Sequence, residues 1–580
     1  MEISPQEKGV AFRFRYDPER VAIMKEVGAR WHPEEKAWFL HPLFLARLGR
    51  LLEKRELWQA YASMIRRGVG AFREVSSLLL PEQREDLRRL WMAFFRWARN
   101  PLAPKGYLLA LGTGTGKTFV YSAFLRILEA MGLEGLLVVP NEDLIRQTGE
   151  VMARFGLRAR VTTYGKLDPA EAAGKVLVLD EAHLAKAGWG SERGRRSWKA
   201  SLEAFFVLYA SATPFDRPWE ALYLLKPTRT IPHGESDERF LARFGVRTRE
   251  YSNGGKEFYF AGKVEDLIAF HETLKARGFT HKRFFVPPDG LVEHEVLHLD
   301  LPREERELLG EVRRRLKELS REVDPSLRGL IGAQRTILSR GLLERFKLKA
   351  VFPAIEELLA EGWHVALFLQ YRGERELDLT TEEGLASLLE EADARGVSIA
   401  RYLLPALRGL HLRFPSPLDL VEERFGFLGE GLAFYTGREG EGALKRAKRE
   451  WDEGKVRLLV LTGAKGGTGL SLHDTRGGRP TAQVVLTLPW TASQLDQVLG
   501  RTVRVGLASR VRILFPVARV PAERRLGEIL AASLHTLGYA VRGGIPVVPP
   551  KVVKAFLYDL ASTAPDVFGQ ILEGEEDLLP

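Results

Sequence analysis

Short apolar runs that stop abruptly at glycine-rich or acidic turns recur along this chain and set its plan. Residues 108–111 form such a run, followed by Gly112-Thr113-Gly114-Thr115-Gly116-Lys117-Thr118 and then by helical apolar spacing over 119–128. The pattern reads as strand, tight loop, helix. Residues 136–140, 176–179 and 206–210 are further apolar runs, each too short for a helix, and predict buried strands of one parallel sheet, with a helix over 141–155. A second series at 365–369, 431–435, 456–461 and 484–488 predicts another such sheet. The expected fold class is α/β, with two parallel-sheet domains in tandem.

The flanking segments pattern differently. Phe12-Arg13-Phe14-Arg15-Tyr16 alternates with period two, which puts three aromatics on one face of a strand and Arg13 and Arg15 on the other. Asp17 is a predicted N-cap with Pro18 in the first turn, and Gly28 ends the helix after Val27. Residues 29–40 form a second extended piece carrying Trp31 and Trp38, suited either to a small core or to stacking on nucleic-acid bases. Residues 46–76 predict helical connecting structure, and 86–97 a helix one element ahead of the glycine loop. Residues 303–322 and 330–346 predict further helices, 292–299 a strand, and 380–383 a capping box. The resulting plan is a small α+β domain at 1–50, a helical connector at 51–76, a first α/β domain at 77–230, and a mainly helical insertion or brace at 231–346. A second α/β domain follows at 347–545, then a C-terminal helix and a solvated acidic tail at 546–580.

Composition narrows the classes. A chain of 580 residues exceeds what one core supports, and the absence of cysteine excludes disulfides and thiolate metal sites. No apolar run approaches the roughly 20 residues that cross a bilayer, and the first residues lack a signal-peptide pattern, so a soluble, cytoplasmic protein is expected. A formal net charge of +10 favours a polyanionic partner, although 28% charged residues also suit a thermophile-like surface. Nothing in the pattern demands an oligomer, and a monomer is compatible with it.

The chemistry is concentrated at the strand ends. Gly112, Gly114 and Gly116 let backbone N–H groups and a helix N-terminus face phosphate oxygens, with Thr113 and Thr115 between them. Lys117 is placed to reach the β and γ phosphates of ATP, and the Thr118 hydroxyl to bind Mg2+. The general pattern has glycine where this chain has Leu111. Asp180 and Glu181 end the 176–179 strand, which suits Asp180 to the magnesium ion, Glu181 to that ion or to the attacking water, and His183 to linking this centre to the rest of the site. Gly467 and Gly469 lie in a loop suited to close approach of phosphate, with Lys465 as a nucleic-acid contact. Gln497, Arg501 and Arg504 put two arginines nearly one turn apart on a predicted helix, as arginine fingers for the transferring phosphoryl group with Gln497 assisting. Arg146, Thr163 and Tyr164 follow predicted strands and face either a nucleic-acid backbone or solvent.

Taken in order, these motifs resemble the DEAH-type motor half of superfamily 2 helicases, in which Gly-Thr-Gly-Thr-Gly-Lys-Thr is a known form of the loop. The resemblance implies RecA-like domains, a role for Gln83 in reading adenine, and a role for Ser211 and Thr213 in coupling hydrolysis to movement. Ser471-Leu472-His473-Asp474-Thr475-Arg476, Leu486-Thr487-Leu488-Pro489-Trp490 and the 497–504 segment look like the strawberry notch helicase family over roughly 265–510, with Ala182-His183 departing from that family's usual box. The stretch 10–45, with Gly28-Ala29-Arg30-Trp31 and Lys36-Ala37-Trp38, resembles the HepA-related domain of annealing translocases. Together they imply an ATP- and Mg2+-dependent helicase or translocase, with DNA favoured over RNA. An RNA helicase and a nucleotide-gated nucleic-acid clamp stay open as alternatives.

Overall fold

The central strands of each parallel sheet form where the chain supplies uninterrupted apolar residues, and these strands are buried along nearly their whole length. The computed structural model describes residues 2–556 apart from 7–8, 52–54, 233, 251–255, 324, 371–376, 383, 386–399, 437–438 and 463–469. The chain divides into two units, residues 1–284 with 535–545, and residues 285–534 with 546–580.

The first unit opens with an antiparallel sheet of β1 (Glu2–Gln6), β2 (Gly9–Arg13), β3 (Arg30–His32) and β4 (Ala37–Leu40), in the order β1-β2-β4-β3. Helix α1 (Pro18–Val27) starts at Asp17, whose carboxylate accepts from the Glu19 and Arg20 N–H groups, and stops at Gly28 in the left-handed region. The predicted alternation outruns the strand. β2 ends at Arg13, where its pairing with β4 ends at Phe12 opposite Trp38, and Tyr16 is 80% exposed.

Helices α2 (Arg55–Ser77) and α3 (Pro81–Arg99) lead to a six-stranded parallel sheet. Its strands are β5 (Gly106–Leu111), β6 (Gly135–Val139), β7 (Arg160–Thr163), β8 (Val176–Asp180), β9 (Phe206–Ala210) and β12 (Thr280–Arg283), ordered β12-β5-β9-β8-β6-β7. Helices α4 (Lys117–Ala130), α5 (Glu142–Arg154) and α6 (Glu192–Glu203) lie between strands in the chain, and a hairpin of β10 (Val246–Glu250) and β11 (Lys256–Phe260) precedes α7 (Val264–Ala276).

The N-terminal 50 residues share a core with this sheet. Val10, Phe12, Leu40 and Phe44 join the same buried cluster as Phe94, Trp97, Phe124 and Phe206. Arg47 seals the junction, donating to the carbonyls of Trp97 (2.8 Å), Ala98 (2.8 Å) and Val27 (3.2 Å), so one guanidinium closes the C-terminal ends of α3 and α1. Burial lowers its pKa to about 10. Arg47→Ala is expected to destabilise the first unit by roughly 2–3 kcal/mol, because buried carbonyls lose charged donors; a urea unfolding midpoint equal to that of the unsubstituted chain would refute the role.

The second unit is built on β13 (Val292–Leu299), β14 (His364–Leu369), β17 (Leu432–Tyr435), β18 (Leu458–Thr462), β19 (Thr481–Val485) and β20 (Val511–Ala518). These form a parallel sheet ordered β13-β20-β19-β14-β18-β17, beside a two-stranded ladder of β15 (Leu377–Asp378) and β16 (Arg413–Phe414). Two parallel sheets with helical crossovers are tandem RecA-like domains.

The segment 231–346, expected as a mainly helical insertion, is divided between the units. Its first part supplies β10–β12 and α7 to the first, and its remainder supplies β13, α8 (Arg303–Glu322) and most of α9 (Pro325–Ala360) to the second. Helix α9 runs through the boundary expected at 347, and Lys347 within it is buried in an ion pair with Glu523. Residues 535–545, expected in the second domain, belong to the first unit. Lys282 donates to the carbonyls of Arg542 (2.6 Å) and Gly543 (3.0 Å), and the Arg542 guanidinium lies 4.4 Å from the Phe284 ring centroid.

Candidate nucleotide site

The strand order brings the expected site residues of the first unit to one edge of the sheet. β5, β9 and β8 are neighbours, so the glycine loop, Ser211-Ala212-Thr213 and Asp180-Glu181 emerge side by side from their C-terminal ends. This is the edge at which open parallel sheets bind ligands.

The loop has the geometry of an anion cradle. Gly114 and Gly116 have φ of +75° and +88°, and a Cβ at Gly116 would meet the Gln83 amide nitrogen at 2.1 Å. Thr115 closes the turn, its hydroxyl donating to the Gly112 carbonyl at 2.7 Å, while Thr113 stands half-buried between the glycines. Lys117, at the first position of α4, is nearly buried; its Nζ donates to the Leu111 carbonyl (3.2 Å) and lies 3.9 Å from Glu181 Oε1. Gln83 caps its own helix by accepting from the Leu80 N–H (3.1 Å) and lies against the loop, with Nε2 3.4 Å from the Thr115 carbonyl.

The acidic pair divides by environment. Asp180 is buried, and burial together with the adjacent Glu181 carboxylate raises its pKa to about 7, opposed by Lys117. Glu181 is more exposed and adopts φ +49°, ψ +51°, a left-handed conformation that costs a non-glycine residue energy and clusters at functional sites. His183 Nδ1 lies 3.4 Å from Glu181 Oε2 and 3.2 Å from Ser211 Oγ, which in turn accepts from the Thr213 N–H at 3.1 Å. One chain of contacts therefore runs from Lys117 through Glu181 and His183 to Ser211 and Thr213.

Sequence reasoning missed Tyr121 and gave Tyr164 a different role from the one its burial shows. Tyr121, fully buried on α4, donates to Asp180 Oδ2 at 3.3 Å, so it orients one of the expected magnesium ligands. Its disguise was an apolar helix face, and its hydroxyl was the one signal. Tyr164 was singled out for the wrong task. It is buried, with its hydroxyl donating to the Asp180 carbonyl at 2.8 Å, so it braces the end of β8, and Thr163 beside it is buried as well, which leaves both side chains turned away from solvent.

Thr118 and Asp180 suit Mg2+. Thr118 follows Lys117 at the start of α4 while Asp180 ends the neighbouring strand β8, and a carboxylate whose pKa burial has raised is one that a cation returns to its charged form. Among the described residues no cluster of three or more His, Asp or Glu gathers, so a magnesium ion here would take its remaining oxygens from phosphate and water.

The other expected residues are dispersed. Arg146 on α5 and Arg15 are exposed, while Arg13 is engaged by Glu2 (3.9 Å) and Glu35 (3.8 Å). Trp31 is 47% exposed on the edge strand β3, with its ring 5.7 Å from that of the half-buried Trp38. In the second unit the helix carrying half-buried Gln497 is α10 (Ala492–Leu499), which ends at Gly500, so Arg501 and Arg504 lie in the turns beyond it and do not share a helix face. Arg501 is buried, donating to the Leu470 carbonyl at 2.8 Å while its own carbonyl accepts from the Leu472 N–H. It locks the 470–472 segment, a task at odds with that of a mobile finger. Arg504 is half-buried, and burial lowers its pKa. Lys465, Gly467 and Gly469 lie outside the described residues.

Known proteins agree with this architecture. Residues 77–168 match the family model described as the res subunit of type III restriction enzymes. The strawberry notch homolog of Caenorhabditis elegans is 28% identical over 181 residues, covering 27% of this chain and 10% of that protein. Human strawberry notch homolog 1 is 27% identical over 201 residues, 30% of this chain and 14% of its own length. FORGETTER 1 of Arabidopsis thaliana is 30% identical over 169 residues, 24% and 13% of the respective chains. The similarity therefore spans only a small part of each relative. Combined with two RecA-like sheets and the ordered loops of the first, these likenesses support a superfamily 2 helicase-type architecture similar to that of strawberry notch over the matched segments.

Proposed function

We propose that this protein is a nucleic-acid-stimulated ATPase that moves along DNA. The observation that carries the reading is the contact chain from Lys117 through Glu181 and His183 to Ser211, which joins a phosphate cradle to the Ser-Ala-Thr segment. Lys117 and the loop amides bind the β and γ phosphates, and Glu181 orients and polarises the attacking water. His183 passes the state of that carboxylate to Ser211 and Thr213. Mg2+, held by Thr118 and Asp180, would neutralise charge developing on the phosphates. Arg15, Trp31 and Arg146 are the exposed candidates for nucleic-acid contact.

DNA is preferred because the N-terminal stretch resembles an annealing-translocase module and presents Trp31 on an unpaired strand edge. Steady-state hydrolysis should rise several-fold with single-stranded or forked DNA over no nucleic acid, and the gain should shrink at higher salt as phosphate contacts are screened. Equal stimulation by RNA would overturn the DNA assignment, and hydrolysis without displacement of a bound blocker would turn the reading to a clamp.

A further inference from the structure

The phosphate loop is gripped from outside by a strand distant in sequence. β12 pairs in parallel with β5, with Arg283 opposite Leu111, so Arg283 stands at the point where the strand becomes the loop. Its carbonyl accepts from the Gly112 N–H at 2.9 Å, and its guanidinium Nη2 donates to the Thr115 carbonyl at 2.9 Å. One residue thus holds the first glycine with its backbone and the middle of the loop with its side chain. The guanidinium is anchored in turn by Asp86 of α3, which is fully buried. Arg283 Nε and Nη2 donate to Asp86 Oδ2 at 2.8 and 2.6 Å, and His281 Nε2 lies 2.8 Å from Oδ1.

In a trans peptide the carbonyl and the following N–H point in opposite directions. Fixing the Thr115 carbonyl outward against Arg283 therefore aims the Gly116 N–H away from β12, toward the concave side of the loop where phosphate oxygens sit. A cation on that carbonyl also polarises the peptide and strengthens its N–H as a donor. Gln83 Nε2 approaches the same oxygen from 3.4 Å, a weaker second hold.

We propose that Arg283, anchored by Asp86 and His281, is a positioning residue that sets the phosphate affinity of the loop. The inference rests on reading residues 112–118 as the nucleotide site and adds how that site is tuned. Arg283→Ala in the full chain should weaken ADP binding about tenfold, as expected for losing one charge-assisted hydrogen bond, and should move the phosphorus NMR signal of the bound β-phosphate. Arg283→Lys should recover only part of the affinity, since an ammonium lacks the fork that serves Asp86 and Thr115 together. Asp86→Asn combined with Arg283→Ala should cost no more than Arg283→Ala alone, because the pair acts as one unit. Should Arg283→Ala fail to fold, Arg283→Lys is read by the same criteria. ADP affinity and the β-phosphate signal unchanged in the folded variant overturn the proposal and leave the site reading standing; an unsubstituted chain that binds no ADP overturns both.

Discussion

Lys117→Ala is expected to lower ATP turnover by on the order of a hundred- to a thousandfold and to weaken nucleotide binding, with the circular dichroism of the folded chain retained. The loss follows from position. Lys117 is the first residue of α4, its ammonium is nearly buried beside Glu181, and within the loop it is the one full positive charge. Glu181→Gln makes the contrasting case, since it keeps the shape and the approach to His183 but removes the charge that polarises water. It should abolish turnover to a similar degree while ATP still binds, so the two variants separate phosphate binding from water activation. Steady-state hydrolysis and binding of a fluorescent ATP analogue check both. Hydrolysis by Lys117→Ala within a few-fold of the unsubstituted chain would dismiss the loop as the site.

Lys347→Met is expected to destabilise the second unit by about 3–5 kcal/mol, the usual cost of leaving one buried charge without its partner. Lys347 on α9 and Glu523 are both excluded from water and form a direct ion pair, and Glu523 also accepts the Ala518 N–H at 2.6 Å. Burial pushes each toward its neutral form, lowering the lysine's pKa and raising the carboxyl's, so only the partner keeps either charged. Joint replacement by Lys347→Met and Glu523→Leu should therefore regain most of what the single change loses. Urea unfolding provides the test, and a loss below about 1 kcal/mol, the worth of a surface pair, would contradict the burial.

The apolar strands and the loops they deliver were legible in the sequence because each strand is an unbroken run and each loop carries residue types that packing alone does not require. The strand 292–299 and the helix 303–322 were legible to the residue for the same reason of clean periodicity. β12 was not. Thr280-His281-Lys282-Arg283 is an edge strand of polar residues, so it gives no apolar run and disappeared into an expected helical insertion. Asp86 was hidden likewise, since one carboxylate among the charged residues of α3 looks solvated until Arg283 and His281 are placed against it. Regular spacing misled at Arg501 and Arg504, where a helix was extrapolated past Gly500, and at Tyr16, where alternation continued after the partner strand had ended.

The return of residues 535–545 to the first unit has a consequence for synthesis. Lys282 and His271 hold that segment by its carbonyls, at Arg542, Gly543 and Ala540, and Gly543 takes φ +57°, where a Cβ would press on the Lys282 ammonium at 2.2 Å. A ribosome emits residues 1–284 long before the piece that completes them, so through the whole translation of 285–534 the first unit waits with those donors unmet. Its final closure waits until residues 535–545 have themselves left the ribosome.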